Sequence, residues 1–346
     1  MKIRFMFPVK AICISVRKEC IGVKTYRLKI SVLPGDKICL LSGKYIEISY
    51  PDMEGKYKQR AYTISNNLGS EIIEISVKRT GNGGVSDAIH DFLCEGNSID
   101  IVGQAGSIDI NSLKEKDKKI LMISNGIGIT LPVALLREMT TGTHEYHSVN
   151  LISVAAKINE IPFLEEIYSM SKNNSWFDFM GFIIRDVLPV NMDCFSQGRP
   201  TRQEFINDPA PDLVIICGGY NFSTEMVEMV TDIYPNSRLL VEAFSNGIEN
   251  TKTIDNLDKK CKLKILGSDE TIDIDENLSL LENLEKNNIP IKNQCRSGLC
   301  RRCLIRIESG NVVRNPDFCT TVKERAEGLA LACCTYGIGE DILINI

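Results

Sequence analysis

Four cysteines toward the C-terminal end have the residue type and spacing that could hold a metal. Cys295, Cys300 and Cys303 form a C-x4-C-x2-C pattern, and Cys333 comes later in the same region. The thiolate is the form of cysteine that binds metals, and soft thiolates suit zinc or iron. Structural zinc sites use paired C-x2-C knuckles, which the x4 spacing does not provide. The other cysteines of the 13 are mostly scattered, and we interpret them as small buried hydrophobic residues.

The spacing is instead that of a plant-type [2Fe–2S] cluster, in which two cysteines hold each iron. A tight loop must wrap such a cluster, and Gly298 gives this loop the necessary conformational freedom. Cys319 and Cys334 are alternatives for the fourth position. The stretch LALACCTYG resembles the Leu-Ala-Cys segment of plant-type ferredoxin domains, which favours Cys333. The predicted ligands are Cys295, Cys300, Cys303 and Cys333.

Two arginines next to the cluster loop depart from the ferredoxin pattern. The residue after the second loop cysteine is usually small in that family, whereas here it is Arg301, followed by Arg302. Two cations beside the cluster would raise its reduction potential, or they would form a docking patch for an acidic partner. The sequence leaves both interpretations open.

A second candidate site lies where a strand carries Arg60, Tyr62 and Thr63. Alternate residues of a strand point to one face, so Arg60 and Tyr62 should project together. The cation could then hold a phosphate while the aromatic ring covers a planar ligand. This Arg-Ala-Tyr-Thr stretch resembles the R-x-Y-S/T flavin motif of the ferredoxin–NADP reductase superfamily. The resemblance implies that Tyr62 covers the isoalloxazine ring and that Thr63 hydrogen-bonds near the flavin N5.

A glycine-rich turn follows within the same region, at residues 81–86, and opens a predicted helix over 86–94. Glycines before a helix N-terminus make an anion site from backbone N–H groups and the helix dipole. In the superfamily this position holds the flavin phosphates, which implies four binding residues: Gly83, Gly84, Val85 and Ser86. The alternative is an ordinary glycine turn with Ser86 as the helix N-cap.

A third loop contains Gly126, Gly128 and Thr130 between a buried strand and a predicted helix over 132–139. Because position 131 is Leu131, the loop lacks the third glycine of the dehydrogenase fingerprint. It resembles the G-I-G-I-T-P nicotinamide loop of the same superfamily. In that pattern the proline directly follows the threonine, whereas here Leu131 precedes Pro132, a shift that could alter the start of the helix.

Two further motifs end strands of the same region. Cys217 and Gly218 close the run DLVIICGG, at the carboxyl edge where open α/β sheets bind ligands. They resemble the superfamily's C-G-P motif, with Gly219 in place of proline, and the resemblance places the cysteine beside the nicotinamide. Glu242 and Phe244 match the terminal E-x-F motif next to the flavin. The resemblance thus implies three catalytic residues: Thr63, Cys217 and Glu242.

The pattern of predicted strands and helices that must position these residues changes along the chain. Short alternating runs up to about residue 112 predict an antiparallel β-barrel or sandwich. Alternating strands and helices then predict a doubly wound parallel α/β sheet. The resemblance gives the remainder the fold of a plant-type ferredoxin, an α+β β-grasp domain. We predict a flavin-binding β-barrel over 1–114, a nicotinamide-binding α/β domain over 115–250, a linker over 251–260 and a ferredoxin domain over 261–346.

Composition excludes several other classes of protein. The net charge of −5 is mild and mixed along the 346 residues, whereas a nucleic-acid-binding protein would show a basic stripe or patch. No apolar run approaches the roughly 20 residues that a membrane span requires. The odd number of cysteines in a chain of this length favours reduced thiols and a cytoplasmic location over a disulfide framework.

The motif order resembles the phthalate dioxygenase reductase group and the hybrid-cluster-protein reductases. The resemblance implies FAD, with FMN possible, NADH more than NADPH, and a [2Fe–2S] cluster. Nicotinamide gives two electrons together and the cluster takes one, so a flavin must lie between them. The expected acceptor is a redox protein, either an oxygenase component or a hybrid-cluster protein. The alternative is an electron-carrier subunit with a degenerate nicotinamide site, reduced by a partner.

Overall fold

The computed structural model divides the chain into two compact units, Met1–Glu242 and Ala243–Ile346. The residues that it describes are 7–31, 40–69, 71–142, 146–188, 193–206, 210–244, 261–268, 270–276, 278–293, 298, 301–315, 317 and 320–346. The predicted linker over 251–260 lies outside them, and the boundary between separate flavin and nicotinamide domains at 114/115 stays a prediction. No helix in these ranges is long and apolar enough to cross a membrane.

The first part of unit one is a closed antiparallel barrel, as predicted, with strand order β1-β2-β5-β4-β3-β6. Its strands are β1 (Val9–Cys20), β2 (Val23–Ile30), β3 (Tyr45–Pro51), β4 (Tyr57–Gly69), β5 (Ile72–Lys78) and β6 (Ser98–Ala105). Alternate residues fill the interior, among them Leu28 and Ile46. The pairing of β4 with β5 shifts register between Ile64 and Asn66, just after Thr63. Such irregularities re-aim side chains near functional sites.

One helix, α1 (Val85–Phe92), connects β5 to β6. It begins one residue before the predicted start, and its N-cap is Gly84, which makes no side-chain capping bond. The alternative interpretation of Ser86 as the cap is therefore wrong. Since Ser86 lies inside the first turn, its side chain is available for another contact.

The second part of unit one is a six-stranded sheet with the order β10-β9-β8-β7-β11-β12. Its strands are β7 (Lys119–Asn125), β8 (Ser148–Ala155), β9 (Phe177–Ile183), β10 (Phe195–Gln197), β11 (Leu213–Gly219) and β12 (Arg238–Phe244). The helices between them are α2 (Thr130–Thr141), α3 (Leu164–Asn173), α4 (Arg202–Phe205) and α5 (Tyr220–Ile233). Strands β7 to β11 pair in parallel. The strand order reverses between β7 and β11, so the edge beyond these two strands is where ligands bind in such sheets.

Unit two is built on a mixed five-stranded sheet with the order β14-β13-β19-β15-β17. Its elements are β13 (Lys262–Ile265), β14 (Thr271–Asp273), α6 (Leu280–Lys286), β15 (Leu304–Ser309), β16 (Val312–Arg314), α7 (Val322–Ala326), β17 (Leu329–Leu331), β18 (Thr335–Gly337) and β19 (Ile342–Asn345). The predicted hairpin is the antiparallel pair β13–β14. Leu280, Leu281 and Leu284 of α6 are buried in the core of this unit, as their helical spacing requires.

Candidate functional site

The strand β4 and the helix α1 meet at the predicted flavin motif. The Tyr62 hydroxyl lies 3.0 Å from the Ser86 hydroxyl, so the two segments singled out in the sequence are in contact. Burial raises the pKa of Tyr62 to about 12, although the bond to Ser86 opposes this. Arg60 is exposed and donates to the main-chain oxygen of Gln59 at 2.7 Å. Its positive charge also lowers the pKa of Tyr62.

The glycine turn before α1 is held by a carboxylate that sequence reasoning missed. Asp87 accepts hydrogen bonds from the backbone N–H groups of Thr80, Gly81 and Gly83 at 2.6, 3.0 and 2.7 Å. Burial opposes ionisation of Asp87, but these bonds outweigh it and lower its pKa to about 2. Gly81 and Gly83 have φ angles of +79° and +74°, a region that glycine adopts without strain.

With the turn held by Asp87, two backbone N–H groups at the start of α1 stay available to an anion. The first N–H groups of a helix have no intrahelical partner, and in α1 these belong to Val85 and Ser86. Asp87 occupies the N–H groups of the turn, so a phosphate would be received by the helix end. The residues present therefore fit the phosphates of a flavin. The signal for Asp87 was available in the sequence, since an acidic residue at the third helical position often reaches back to the turn before it.

The third predicted loop forms a tight 3₁₀ turn over Gly126–Ile129, between β7 and α2. Helix α2 begins at Thr130, whose hydroxyl donates to the main-chain oxygen of Ile127 at 3.0 Å. Pro132 is the third residue of this helix, a position whose N–H has no partner within the helix. The additional residue before the proline therefore does not disrupt the start of α2. The helix begins two residues earlier than predicted.

Gly128 packs directly against the end of β11. A Cβ atom there would lie 2.2 Å from the main-chain oxygen of Cys217 and 3.0 Å from the Cα of Gly218. Only glycine permits this approach, which brings the ends of β7 and β11 together at the reversal of strand order. The predicted Cys217-Gly218 motif and the glycine loop are thus in contact.

The side chain of Cys217, near the end of β11, is fully buried. Burial, and then the nearby Glu242, raise the pKa of its thiol well above the ordinary value. Glu242, in β12, lies with its Oε1 3.4 Å from the hydroxyl of Thr63 in β4. The three residues predicted to be catalytic are therefore brought together, at the line where barrel and parallel sheet meet. Phe244, half-buried, is the last residue of β12.

In unit two the described part of the cluster region agrees with a thiolate site. Cys303 and Cys333 are buried in the core, and the main-chain oxygen of Cys303 accepts from the N–H of Ala332 at 2.8 Å, which aligns the two cysteines. Gly298 has a φ of +75°, and a Cβ there would lie 2.9 Å from the Sγ of Cys334. The predicted ligands Cys295 and Cys300 lie outside the described residues, as does the alternative Cys319.

Arg301 proves to be tied into the fold. It adopts a φ of +57°, and its guanidinium donates to both carboxylate oxygens of Glu324 at 2.7 and 3.2 Å. This bond and those from Thr321 hold the pKa of Glu324 at about 2, so the pair stays ionised. The positive charge of Arg301 is largely compensated, whereas Arg302 is exposed. Of the two arginines, Arg302 is the better placed for a docking role.

Comparisons with known proteins agree with this geometry. Residues 12–110 match the oxidoreductase FAD-binding domain, and residues 263–336 match the 2Fe-2S iron-sulfur cluster binding domain. The glycine betaine monooxygenase reductase subunit of Chromohalobacter salexigens is 23% identical over 353 residues, covering 93% of this chain and 91% of the relative. The NADH oxidoreductase HCR of Escherichia coli is 25% identical over 287 residues, covering 82% and 83%.

Among solved structures, phthalate dioxygenase reductase superposes with a TM-score of 0.66 at 19% identity, over 98% of both chains. This likeness confirms the predicted fold, with barrel, parallel sheet and ferredoxin domain in that order. The two domain matches confirm FAD and a [2Fe–2S] cluster as the cofactors. The chain is thus a flavoprotein oxidoreductase with its own iron–sulfur domain.

Proposed function

We propose that this chain, which combines an FAD-binding oxidoreductase domain with a 2Fe–2S domain, is an NADH-dependent reductase that delivers single electrons to a protein acceptor. The observation that carries the proposal is the meeting of four predicted motifs at one place. Thr63 lies 3.4 Å from Glu242, and Gly128 contacts the end of the strand that bears Cys217. A flavin on β4 would therefore face a nicotinamide on the loop after β7.

FAD supplies the chemistry, because it takes two electrons together from a nicotinamide and releases them one at a time. The protein supplies position and electrostatics. The N–H groups of Val85 and Ser86 and the guanidinium of Arg60 would hold the flavin phosphates. Tyr62 would cover the ring system, and Thr63 would hydrogen-bond at its edge.

The nicotinamide would lie on the floor made by Gly126, Gly128 and Gly218, with Thr130 at the start of α2. The buried thiol of Cys217 stays protonated at neutral pH, because burial disfavours its thiolate. It would therefore act as a neutral contact beside the nicotinamide and not as a nucleophile. Glu242 would close the site from β12.

The name of one relative supports an oxygenase component as the acceptor, and the hybrid-cluster protein stays the alternative that the sequence resemblance implies. One relative is the reductase subunit of a monooxygenase, and the other is an NADH oxidoreductase. An oxygenase component or a hybrid-cluster protein would each receive electrons from the [2Fe–2S] cluster. The 13 cysteines of the chain suit reducing surroundings, which supports a cytoplasmic location as part of this proposal.

An anaerobic titration of the purified protein with NADH, and separately with NADPH, tests this function. We expect NADH to bleach the flavin absorbance and then to produce the electron paramagnetic resonance signal of a reduced [2Fe–2S] cluster. A flavin that dithionite reduces but neither nucleotide reduces would contradict the proposal. It would favour the electron-carrier subunit with a degenerate nicotinamide site.

The fourth cluster ligand can be tested by two matched substitutions of adjacent buried thiols. The Sγ atoms of Cys333 and Cys334 are 3.6 Å apart, so either could reach the same iron. We propose Cys295, Cys300, Cys303 and Cys333 as the ligands, and expect Cys333→Ser to lose the cluster or change its spectrum while Cys334→Ser keeps both iron content and spectrum. The reverse result would assign the position to Cys334.

A further inference from the structure

The helix that follows the nicotinamide loop is anchored to the flavin-bearing strand by one arginine. Arg137 lies about two turns into α2, given 3.6 residues per turn. Its guanidinium donates to the main-chain oxygen of Ser65 at 2.9 Å. Ser65 is two residues beyond Thr63 in β4. One hydrogen bond therefore joins the element that begins at the nicotinamide loop to the element that carries the flavin motif.

Neighbouring groups fix the orientation of this guanidinium. Nε and a second nitrogen of Arg137 donate to the two carboxylate oxygens of Glu166, in α3, at 2.7 and 2.6 Å. The guanidinium carbon lies 5.0 Å from the centre of the Phe163 ring. A bidentate bond to a carboxylate holds the planar fork rigidly, so the remaining nitrogen is directed at the strand.

The barrel contributes a buried carboxylate close to Arg137. Glu74, in β5, lies 3.9 Å from Arg137, and their side chains are only 4% and 13% exposed. Glu74 also accepts from Arg27 at 2.8 Å and from Asn66 at 3.3 Å. The hydroxyl of Ser65 donates to the main-chain oxygen of Glu74 at 3.2 Å. Charges removed from water interact strongly, so these contacts should resist displacement of α2 relative to the barrel.

Arg137 also lines a cleft beside the barrel. This cleft has a volume of about 820 Å³ and is lined mainly by charged and polar side chains. Helix α2 itself packs against β4, and Arg137 adds a directed polar contact to that packing. The contact of Arg137 with Ser65 bridges the two layers at the edge of this cleft.

We propose that Arg137 is a positioning residue, which sets the place of the nicotinamide loop relative to the flavin strand. The inference rests on the proposed function, since it concerns the approach of the two cofactors. Reacting atoms must be held about 3–3.5 Å apart, and a displacement of about 1 Å can lower the rate about a hundredfold. Neither cofactor contacts Arg137 in this proposal, so binding of each should survive its loss.

Three variants test the proposal: Arg137→Lys, Arg137→Ala and the charge swap of Arg137→Glu with Glu166→Arg. Single-turnover reduction of the flavin by NADH should fall about tenfold in the first and about a hundredfold in the second. Flavin content and the NAD⁺ dissociation constant should change less than about threefold, which gives a loss in rate with little loss in binding. The swap restores a pair between α2 and α3, but a glutamate cannot donate to Ser65, so reduction should stay slow.

A second readout does not depend on turnover. In the FAD-loaded protein without nucleotide, amide hydrogen exchange should speed up in residues 62–68 and 126–141 of the Arg137→Ala variant. The matched control is Arg199→Lys, an arginine paired with Glu225 on the surface with side chains 64% and 48% exposed. The control should leave both the exchange and the reduction rate unchanged.

The outcomes separate this inference from the proposed function. If NADH did not reduce the flavin of the wild-type protein, the proposed function would be overturned. The hydrogen-exchange comparison would then still test whether Arg137 holds α2 against β4. Wild-type rates in Arg137→Ala, unchanged exchange, or full recovery in the charge swap would each overturn the positioning role.

Discussion

Two glycine-rich loops shape the proposed cofactor sites of unit one, and different forces hold them. The loop before α1 is held by a charge, because the carboxylate of Asp87 accepts three backbone N–H groups. The loop before α2 is held by close packing, because Gly128 lies where a Cβ would be 2.2 Å from the Cys217 oxygen. In the proposed function the first loop would receive an anion, and the second would form a floor for a flat ligand.

The difference follows from what each ligand requires. A phosphate is bound by backbone donors, so the turn must be held in place while the N–H groups at the helix end stay available. Asp87 does this by occupying the turn while the helix end stays open. A nicotinamide needs a flat surface near the flavin, which glycine provides because it has no side chain. The first loop should therefore be sensitive to loss of charge, and the second to added volume.

The largest effect is expected from adding a methyl group to the packed loop. In Gly128→Ala the new Cβ would meet the main chain of β11, so the ends of β7 and β11 must separate. We expect a loss of about 3 kcal/mol in the free energy of unfolding, as for overpacked sites, and no reduction of the flavin by NADH. Urea denaturation and an anaerobic NADH titration would measure these effects.

Gly219→Ala is the matched control for stability, because a Cβ there meets no atom within 4 Å. Its φ of −64° and ψ of 153° are also open to alanine. We expect its unfolding free energy to stay within about 0.5 kcal/mol of wild type. If Gly128→Ala were as mild as Gly219→Ala, the second loop would not be held by packing.

Removing the charge from the first loop should have a smaller effect, which falls on stability and on flavin binding. Asp87→Asn keeps the shape of the side chain but replaces an ionised acceptor of three N–H bonds by a neutral amide. Hydrogen bonds to charged groups contribute about 1.5–3 kcal/mol, so we expect a loss of about 2 kcal/mol and weaker FAD binding. Flavin retention after gel filtration and urea denaturation would measure it.

The control for Asp87→Asn is Asp91→Asn, on the same helix. Asp91 forms a bidentate pair with Arg79 at 2.7 and 2.8 Å, and the arginine side chain is 49% exposed. A surface pair of this kind contributes about 0.2–1 kcal/mol. Equal losses in the two variants would show that the turn does not depend on Asp87.

These two loops also show what the sequence could predict. Glycine spacing between a strand and a helix identified both loops, because backbone freedom and anion binding have a local signature. Strand and helix periodicity predicted an antiparallel barrel or sandwich and a parallel sheet, because the side-chain spacing of each element is also a local pattern. The contact of Gly128 with Cys217 depends on strand order, which no local pattern encodes. Arg137 was missed because its partners Ser65 and Glu166 are distant in sequence and the helical pattern gives it no special place.

Because Asp87 is ionised in the folded protein, its contribution to the free energy of unfolding should depend on pH. Its folded pKa of about 2 lies below the ordinary 3.8, so its contribution is complete above pH 3.8 and is lost as pH falls toward about 2. The difference in unfolding free energy between wild type and Asp87→Asn should be constant above pH 3.8 and shrink toward zero near pH 2. Urea denaturation at a series of pH values would test this, and a difference that does not change with pH would contradict the charge-held loop.

The smallest expected effect tests whether the charge-held loop is also tied to the flavin strand. Ser86→Ala removes the partner of the Tyr62 hydroxyl, a neutral hydrogen bond of 3.0 Å that should contribute about 1 kcal/mol. Tyr62→Phe removes the other half of the same bond, so the double variant should lose less than the sum of the single losses. Strictly additive losses would mean that strand β4 and helix α1 hold their positions independently, and that the glycine turn alone decides where the flavin phosphates would lie.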